Sequence, residues 1–128
     1  MRRLLSVVVS VYNEEEALAQ FYQVTEGILN TISWDYELVF VNDGSRDQSL
    51  SILNHLADSN PKVKVVSFSR NFGHEAAMIA GIDYSQGDGI ICMDADLQHP
   101  PACIPEIIRR FEDGYEVINM VRTKNDSA

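Results

Sequence analysis

Apolar and polar positions fall in alternating blocks along this chain. Leu4 to Val11 is a nearly continuous apolar run, interrupted only by Ser6 and Ser10. Rich in β-branched residues, it predicts a strand covered on both faces. Asn13 follows, with Glu16 three residues on, the spacing of a capping pair at a helix start. Leu18, Phe21, Tyr22, Thr25, Ile28, Leu29 and Ile32 then recur with the 3.6-residue period of a helix stripe. Trp34-Asp35 breaks that pattern, and Tyr36 to Val41 predicts a second strand. Asn42 to Asp47 turns the chain, and Ser45 with Gln48 forms a second capping pair. The helix behind it carries Leu50, Leu53, Leu56 and Ala57 on one face and stops at Asn60-Pro61.

The second half repeats the alternation. Val63 to Phe68 predicts a third strand and Ser69 to Gly73 a loop. His74 to about Tyr84 predicts a helix whose small residues Ala76, Ala77, Ala80 and Gly81 suit close packing on a sheet. Ser85 to Gly89 is a turn, and Gly89 to Met93 a fourth apolar strand. Pro100 or Pro101 fits a first helical turn; Ile104, Ile107, Ile108 and Phe111 continue that helix, and Gly114 stops it. Val117 to Val121 predicts a fifth strand, followed by the polar residues Arg122 to Ala128. Strands alternating with helices predict one α/β domain: an open, mainly parallel sheet with helices on both faces and right-handed crossovers.

Composition narrows the partners. A net charge of −9 over 128 residues argues against a nucleic-acid surface, which needs clustered Lys and Arg. It leaves room for a phosphate ligand, because one divalent cation reverses the local sign. Cys92 and Cys103 lack disulfide or metal spacing and read as buried thiols in a reducing compartment. No apolar run approaches the ~20 residues of a membrane span. Asn13 to Glu16 places acidic residues where a signal peptide would not tolerate them. His55, His74 and His99 read first as helix or loop surface.

The candidate chemistry lies just past the predicted strands. Asn13 and Glu14 follow the first, Asp43 the second, Arg70 and Asn71 the third, and Asp94, Asp96 and Gln98 the fourth. In open α/β sheets ligands bind beyond the carboxyl ends of the strands, at the topological switch point. Each residue also has a plainer reading: Asn13 as a cap, Asp43-Gly44 as a turn, Arg70 as a solvated charge. Asp94 and Asp96 stand two apart, so an extended backbone turns both carboxylates to one side together with Gln98. Their repulsion calls for a cation between them, and oxygen ligands suit Mg²⁺ or Mn²⁺. No glycine-rich dinucleotide motif follows the first strand, and no P-loop occurs. The Asp-Ala-Asp step also resembles a haloacid-dehalogenase nucleophile motif, but that motif follows a first strand, and here the step follows the fourth.

Taken in order, Ser6 to Glu15, Val41 to Asp47, Ser69 to Gly73 and Met93 to Gln98 resemble family 2 glycosyltransferases of the GT-A fold, over nearly the whole chain. The forms Arg-Asn-Phe-Gly-His-Glu and Asp-Ala-Asp-Leu-Gln-His-Pro-Pro resemble the branch acting on polyprenyl phosphates, which includes bactoprenol glucosyltransferases and dolichol-phosphate mannose synthases. That resemblance implies a Rossmann-like nucleotide-binding half and an inverting transfer of a hexose, glucose being favoured, from a UDP-sugar to a polyprenyl phosphate. It implies that Tyr12, Asn13 and Glu14 line the nucleotide pocket, that Asp43 holds the base, and that Arg70 lies near the nucleotide. Asp94, Asp96 and Gln98 would bind Mg²⁺ or Mn²⁺ on the diphosphate, with Asp94 also touching the nucleotide, and Arg122 would contact a phosphate. Ser10 departs from the proline usual before the Val-Tyr-Asn step. Relatives run on past the position of Ala128 into an acceptor-binding half, usually with membrane helices. Residues 1–128 are therefore expected to be the N-terminal, nucleotide-sugar-binding part of a longer protein held at the cytoplasmic face of a membrane. Any catalytic base would lie in the acceptor half, and whether these residues alone catalyse transfer stays open. Two other readings stand beside this one: transfer to a sugar hydroxyl in polysaccharide synthesis, and a non-catalytic nucleotide-sugar-binding module.

Overall fold

A computed structural model describes residues 3–95 and 101–112, together with the backbone of 117–119. Five strands form one parallel sheet: β1 (Leu4–Val11), β2 (Asp35–Asn42), β3 (Val63–Ser67), β4 (Gly89–Asp94) and β5 (Val117–Asn119), in the order β3-β2-β1-β4-β5. The helices are α1 (Leu18–Leu29), α2 (Ser49–Ser59), α3 (His74–Tyr84) and α4 (Ile104–Glu112), the last preceded by a 3₁₀ turn at Pro101–Cys103. The expected open α/β sheet with helices on both faces is present. The strand order reverses between β1 and β4, which are direct neighbours, so the switch-point crevice opens at the ends of these two strands.

Alternation along the strands sorts the core into two layers. Leu5, Val7 and Val9 of β1, Leu38 and Phe40 of β2, and Ile91 and Met93 of β4 face a layer closed by Leu18, Phe21 and Leu29 of α1, Leu53 of α2, and Ile104 and Phe111 of α4. Phe21 meets Phe40 edge-on, with ring centroids 6.3 Å apart. On the opposite face Val8, Val39, Val41 and Cys92 pack under Ala77 of α3. Gly81 lets that helix sit close: a Cβ there would stand 2.3 Å from the Val8 side chain. Burial pushes the Cys92 thiol up to about 11, so it stays protonated and inert at neutral pH.

Four expectations are corrected. Asn13 caps no helix: its backbone is left-handed, with φ 54°, and α1 begins only at Leu18, without a side-chain cap. Ser45 caps none either, since α2 begins at Ser49 and its N-terminus likewise lacks a side-chain cap. The polar atoms of both residues are used across the chain instead, as described below. Cys103 is exposed, because the 3₁₀ turn sets it off the apolar stripe that Ile104 opens. Finally, the crossovers are not all right-handed. β1 to β2 and β4 to β5 run in opposite directions across the sheet, yet α1 and α4 cover the same face, so the two connections have opposite hands. Two contacts hold α4 there. Gly89 leaves room for the Phe111 ring, which a Cβ would meet at 2.8 Å, and the Trp34 ring stacks on Phe111 at 5.7 Å.

One core position is imperfect. Thr25 of α1 is fully buried, and its hydroxyl has no hydrogen-bond partner among the described residues. Thr25→Val keeps the shape and removes the stranded hydroxyl. It is expected to stabilise the chain by ~1 kcal/mol, read as a raised urea midpoint. A lowered midpoint would mean that the hydroxyl has a partner after all.

Candidate functional site

The carboxyl ends of β1 and β2 meet the Ser69–Gly73 loop around an open cavity of about 330 Å³. Its lining is Ser10, Val11, Tyr12, Asp43, Asn71, Gly73 and His74, residues contributed by the first three strand-to-helix segments and the start of α3. The volume lies at the small end of the range for ligand pockets.

Asp43 organises one wall. Only 3% exposed, its carboxylate accepts hydrogen bonds from the backbone of Phe72 at 2.8 Å and of Gly73 at 3.0 Å, and from the Asn71 side-chain amide at 3.0 Å. It thus folds the third loop against the second. Gly44 makes the close approach feasible: its φ is +70°, and a Cβ there would stand 2.2 Å from the Arg70 carbonyl carbon. Beside the cavity lies a reciprocal clamp between the first and second loops. Asn13 donates its backbone N–H to the Ser45 hydroxyl at 2.9 Å, and its side-chain oxygen accepts from the Arg46 backbone at 2.8 Å. Behind it the Ser49 hydroxyl accepts the Glu14 N–H at 2.9 Å, and Glu15 accepts the Gln48 N–H at 2.8 Å. Left-handed backbone at Asn13 is what aims both its groups at the second loop; asparagine tolerates that region better than most residues.

On the far side of the cavity Asp94 ends β4. It pairs in register with Ser10 of β1, and the Ser10 hydroxyl donates to its Oδ1 at 3.2 Å. His74, the first residue of α3, brings Nδ1 to 3.4 Å from the same oxygen and 3.1 Å from the Ser10 hydroxyl. His74 was expected to be plain helix surface. Its side chain is 58% exposed but belongs to the site. No local pattern signals this, because the contact depends on β1 and β4 lying side by side.

The expected site residues are distributed as follows. Tyr12 and Asp43 line the cavity, and Asp94 flanks it through Ser10 and His74. Asn13 and Glu14 line an adjacent hollow of about 420 Å³ together with Glu15, Glu16 and Asp47. The Arg70 guanidinium lies 4.6 Å over the Phe72 ring, beside the cavity and not among its lining residues. Asp96, Gln98, His99 and Arg122 lie outside the described residues. β4 ends at Asp94, and Ala95 already turns. Among the described residues no group of three or more His, Cys, Asp or Glu is gathered to hold a metal. Asp94 nonetheless fits the role of one hard oxygen ligand. Mg²⁺ and Mn²⁺ complexes of this kind need only one or two carboxylates, with phosphate oxygens and water completing the shell.

An open parallel sheet with a cavity at its switch point is the arrangement in which α/β proteins bind their ligands. Comparison with known proteins makes this specific: the description of Glycosyl transferase family 2 matches residues 6–128, and the chain belongs to that family. It is 50% identical over 119 residues to the uncharacterized glycosyltransferase YkcC of Bacillus subtilis, covering 93% of this chain and 37% of that protein. It is 46% identical over 114 residues to the prophage bactoprenol glucosyl transferase homolog of Escherichia coli, covering 89% and 37%. The bactoprenol glucosyl transferase of Shigella phage SfV is 44% identical, with the same coverage. The chain thus spans a little over a third of the length of these relatives. Among solved structures, the mannosyltransferase PcManGT of Pyrobaculum calidifontis, in complex with GDP-Man and Mn²⁺, superposes with a TM-score of 0.66 at 21% identity, over 75% of this chain and 28% of that one. TarS 1-349 of S. aureus in complex with UDP gives 0.63 at 24%, over 75% and 28%. These likenesses establish the GT-A fold. No helix among the described residues is long and apolar enough to cross a membrane.

Proposed function

We propose that this chain is the donor-binding part of an inverting glycosyltransferase that moves glucose, or a related hexose, from UDP to a polyprenyl phosphate. The observation that carries the reading is the 46% identity, over 89% of the chain, to a relative named for transfer to bactoprenol. The site supports it. A cavity walled by Tyr12, Asp43 and Asn71 beside the strand-end carboxylate Asp94 offers a place for a nucleoside next to a place for a cation. Asp94, with Asp96 and Gln98, would hold Mg²⁺ or Mn²⁺ against the diphosphate. When bound, that ion neutralises charge on the departing nucleoside diphosphate. Tyr12, Asn13, Glu14, Asp43 and Arg70 serve the nucleotide, and Arg122 a phosphate. A phosphate acceptor is already largely ionised near neutral pH, given a second pKa of ~6, so it asks less of a general base than a sugar hydroxyl does. The natural place for the full-length protein is the cytoplasmic face of a membrane, where donor and lipid meet.

The test is calorimetric titration of UDP-glucose and GDP-mannose with and without Mn²⁺. UDP-glucose is expected to bind in the presence of Mn²⁺. Asp96→Ala is expected to weaken it roughly a hundredfold, the worth of one charged contact of ~2.7 kcal/mol. Binding that ignores the metal would overturn the cation–diphosphate arrangement. Preference for GDP-mannose would overturn uridine. A full-length gene product that binds donor but transfers to no polyprenyl phosphate would favour a non-catalytic module or a sugar-hydroxyl acceptor.

A further inference from the structure

His74 is unexplained by packing and by any residue role above. With its side chain 58% exposed it contributes little to the core. It nevertheless stands where three elements meet: the end of β1 at Ser10, the end of β4 at Asp94, and the start of α3. Ser10 and Asp94 are in-register partners on adjacent parallel strands at the switch point. Gly73, at φ 109°, turns the loop so that α3 starts directly opposite them.

We propose that His74 is a positioning residue for Asp94: together with Ser10 it holds one carboxylate oxygen, so that the aspartate meets the donor in a fixed orientation. This deepens the donor-site reading and rests on it. The protons decide the arrangement. An ionised carboxylate only accepts, and the Ser10 hydroxyl has a single proton, which it gives to Asp94 Oδ1 at 3.2 Å. The contacts of His74 Nδ1 to the Ser10 oxygen at 3.1 Å and to Asp94 Oδ1 at 3.4 Å are then attractive only if Nδ1 carries a hydrogen. The arrangement we propose therefore calls for the tautomer with its proton on Nδ1. Groups that orient a ligand carboxylate from behind are worth about 10–100-fold in the affinity of the ion it serves.

Two measurements test this on the 128-residue chain. Long-range ¹H–¹⁵N spectra of the ligand-free chain should show the His74 ring proton on Nδ1, and a ring protonated only on Nε2 would overturn the proposal. UDP-glucose titration in Mn²⁺ then compares two variants. Asparagine sets an amide N–H close to where Nδ1 stands, so His74→Asn should bind nearly as the parent does. His74→Ala should lose about tenfold. Full affinity in His74→Ala would overturn the proposal. Equal loss in both variants would do so too, by showing that the ring itself is required. A parent chain that bound no UDP-glucose would instead overturn the donor-site reading, and the ring-proton measurement would still decide the contact with Asp94.

Discussion

Asp43→Ala is expected to cost the fold ~4 kcal/mol and to abolish nucleotide binding. The carboxylate is 3% exposed, and it receives the N–H groups of Phe72 and Gly73 and the amide of Asn71. Hydrogen bonds to a charged acceptor contribute ~1.5–3 kcal/mol each, and a donor left unsatisfied in a buried place costs a further ~1–3 kcal/mol. Those contributions overlap, since all three donors belong to one loop, and water entering the open cavity recovers part of the loss. Hence the expectation falls well below the sum. Asp43→Asn keeps an acceptor but turns an NH₂ group toward N–H donors, so its loss should be intermediate. Urea denaturation of the three chains gives the ordering. An unchanged midpoint in Asp43→Ala would show that water replaces the carboxylate and that the third loop holds itself.

Gly44→Ala is expected to be of similar size, ~3–4 kcal/mol, by a different route. Left-handed backbone costs a non-glycine residue ~1–2 kcal/mol. The new methyl would also stand 2.2 Å from the Arg70 carbonyl carbon and 2.3 Å from the Asn71 nitrogen. Both are backbone atoms, so no side-chain rotation relieves the clash. The second and third loops must part, and parting them breaks the Asp43 contacts. The two substitutions are therefore expected to be strongly non-additive: Asp43→Ala placed on top of Gly44→Ala should cost far less than it does alone. Full additivity, measured by the same denaturation, would show that the two residues stabilise separate things.

The order of elements was legible because each strand is a short apolar block and each helix a 3.6-residue stripe. The strand ends where the candidate cavity lies were legible because Asp94 directly follows an apolar block and Asp43 follows one with only Asn42 between. Asn13 and Ser45 were misread for a specific reason. Their side-chain oxygens seek backbone N–H groups, and sequence shows only those close by in the chain. The donor that Asn13 Oδ1 accepts lies 33 residues away, on Arg46. His74 was missed for a related reason: its role depends on β1 and β4 lying side by side, and no local pattern reports which strands are neighbours. The opposite hand of the α4 connection was equally hidden, since Gly89 reads as a turn glycine until Phe111 is seen lying against it.

Helix α3 is tethered at both tips. At the cavity end His74 reaches Ser10 and Asp94. At the other end the Gln86 N–H reaches Glu37 at 2.8 Å, the Gly87 N–H reaches the Ser6 hydroxyl at 2.8 Å, and Ser6 in turn donates to Glu37 at 2.6 Å, all out of contact with the cavity. Between the tethers Gly81 sinks the helix onto Val8. Sliding α3 along its axis would break both sets of hydrogen bonds at once and drive the helix backbone into a valine. It is a strut, not a piston. Adjustment of the cavity to an incoming molecule is therefore expected in its loops and not in α3, and Asp43 ties the Ser69–Gly73 loop in place.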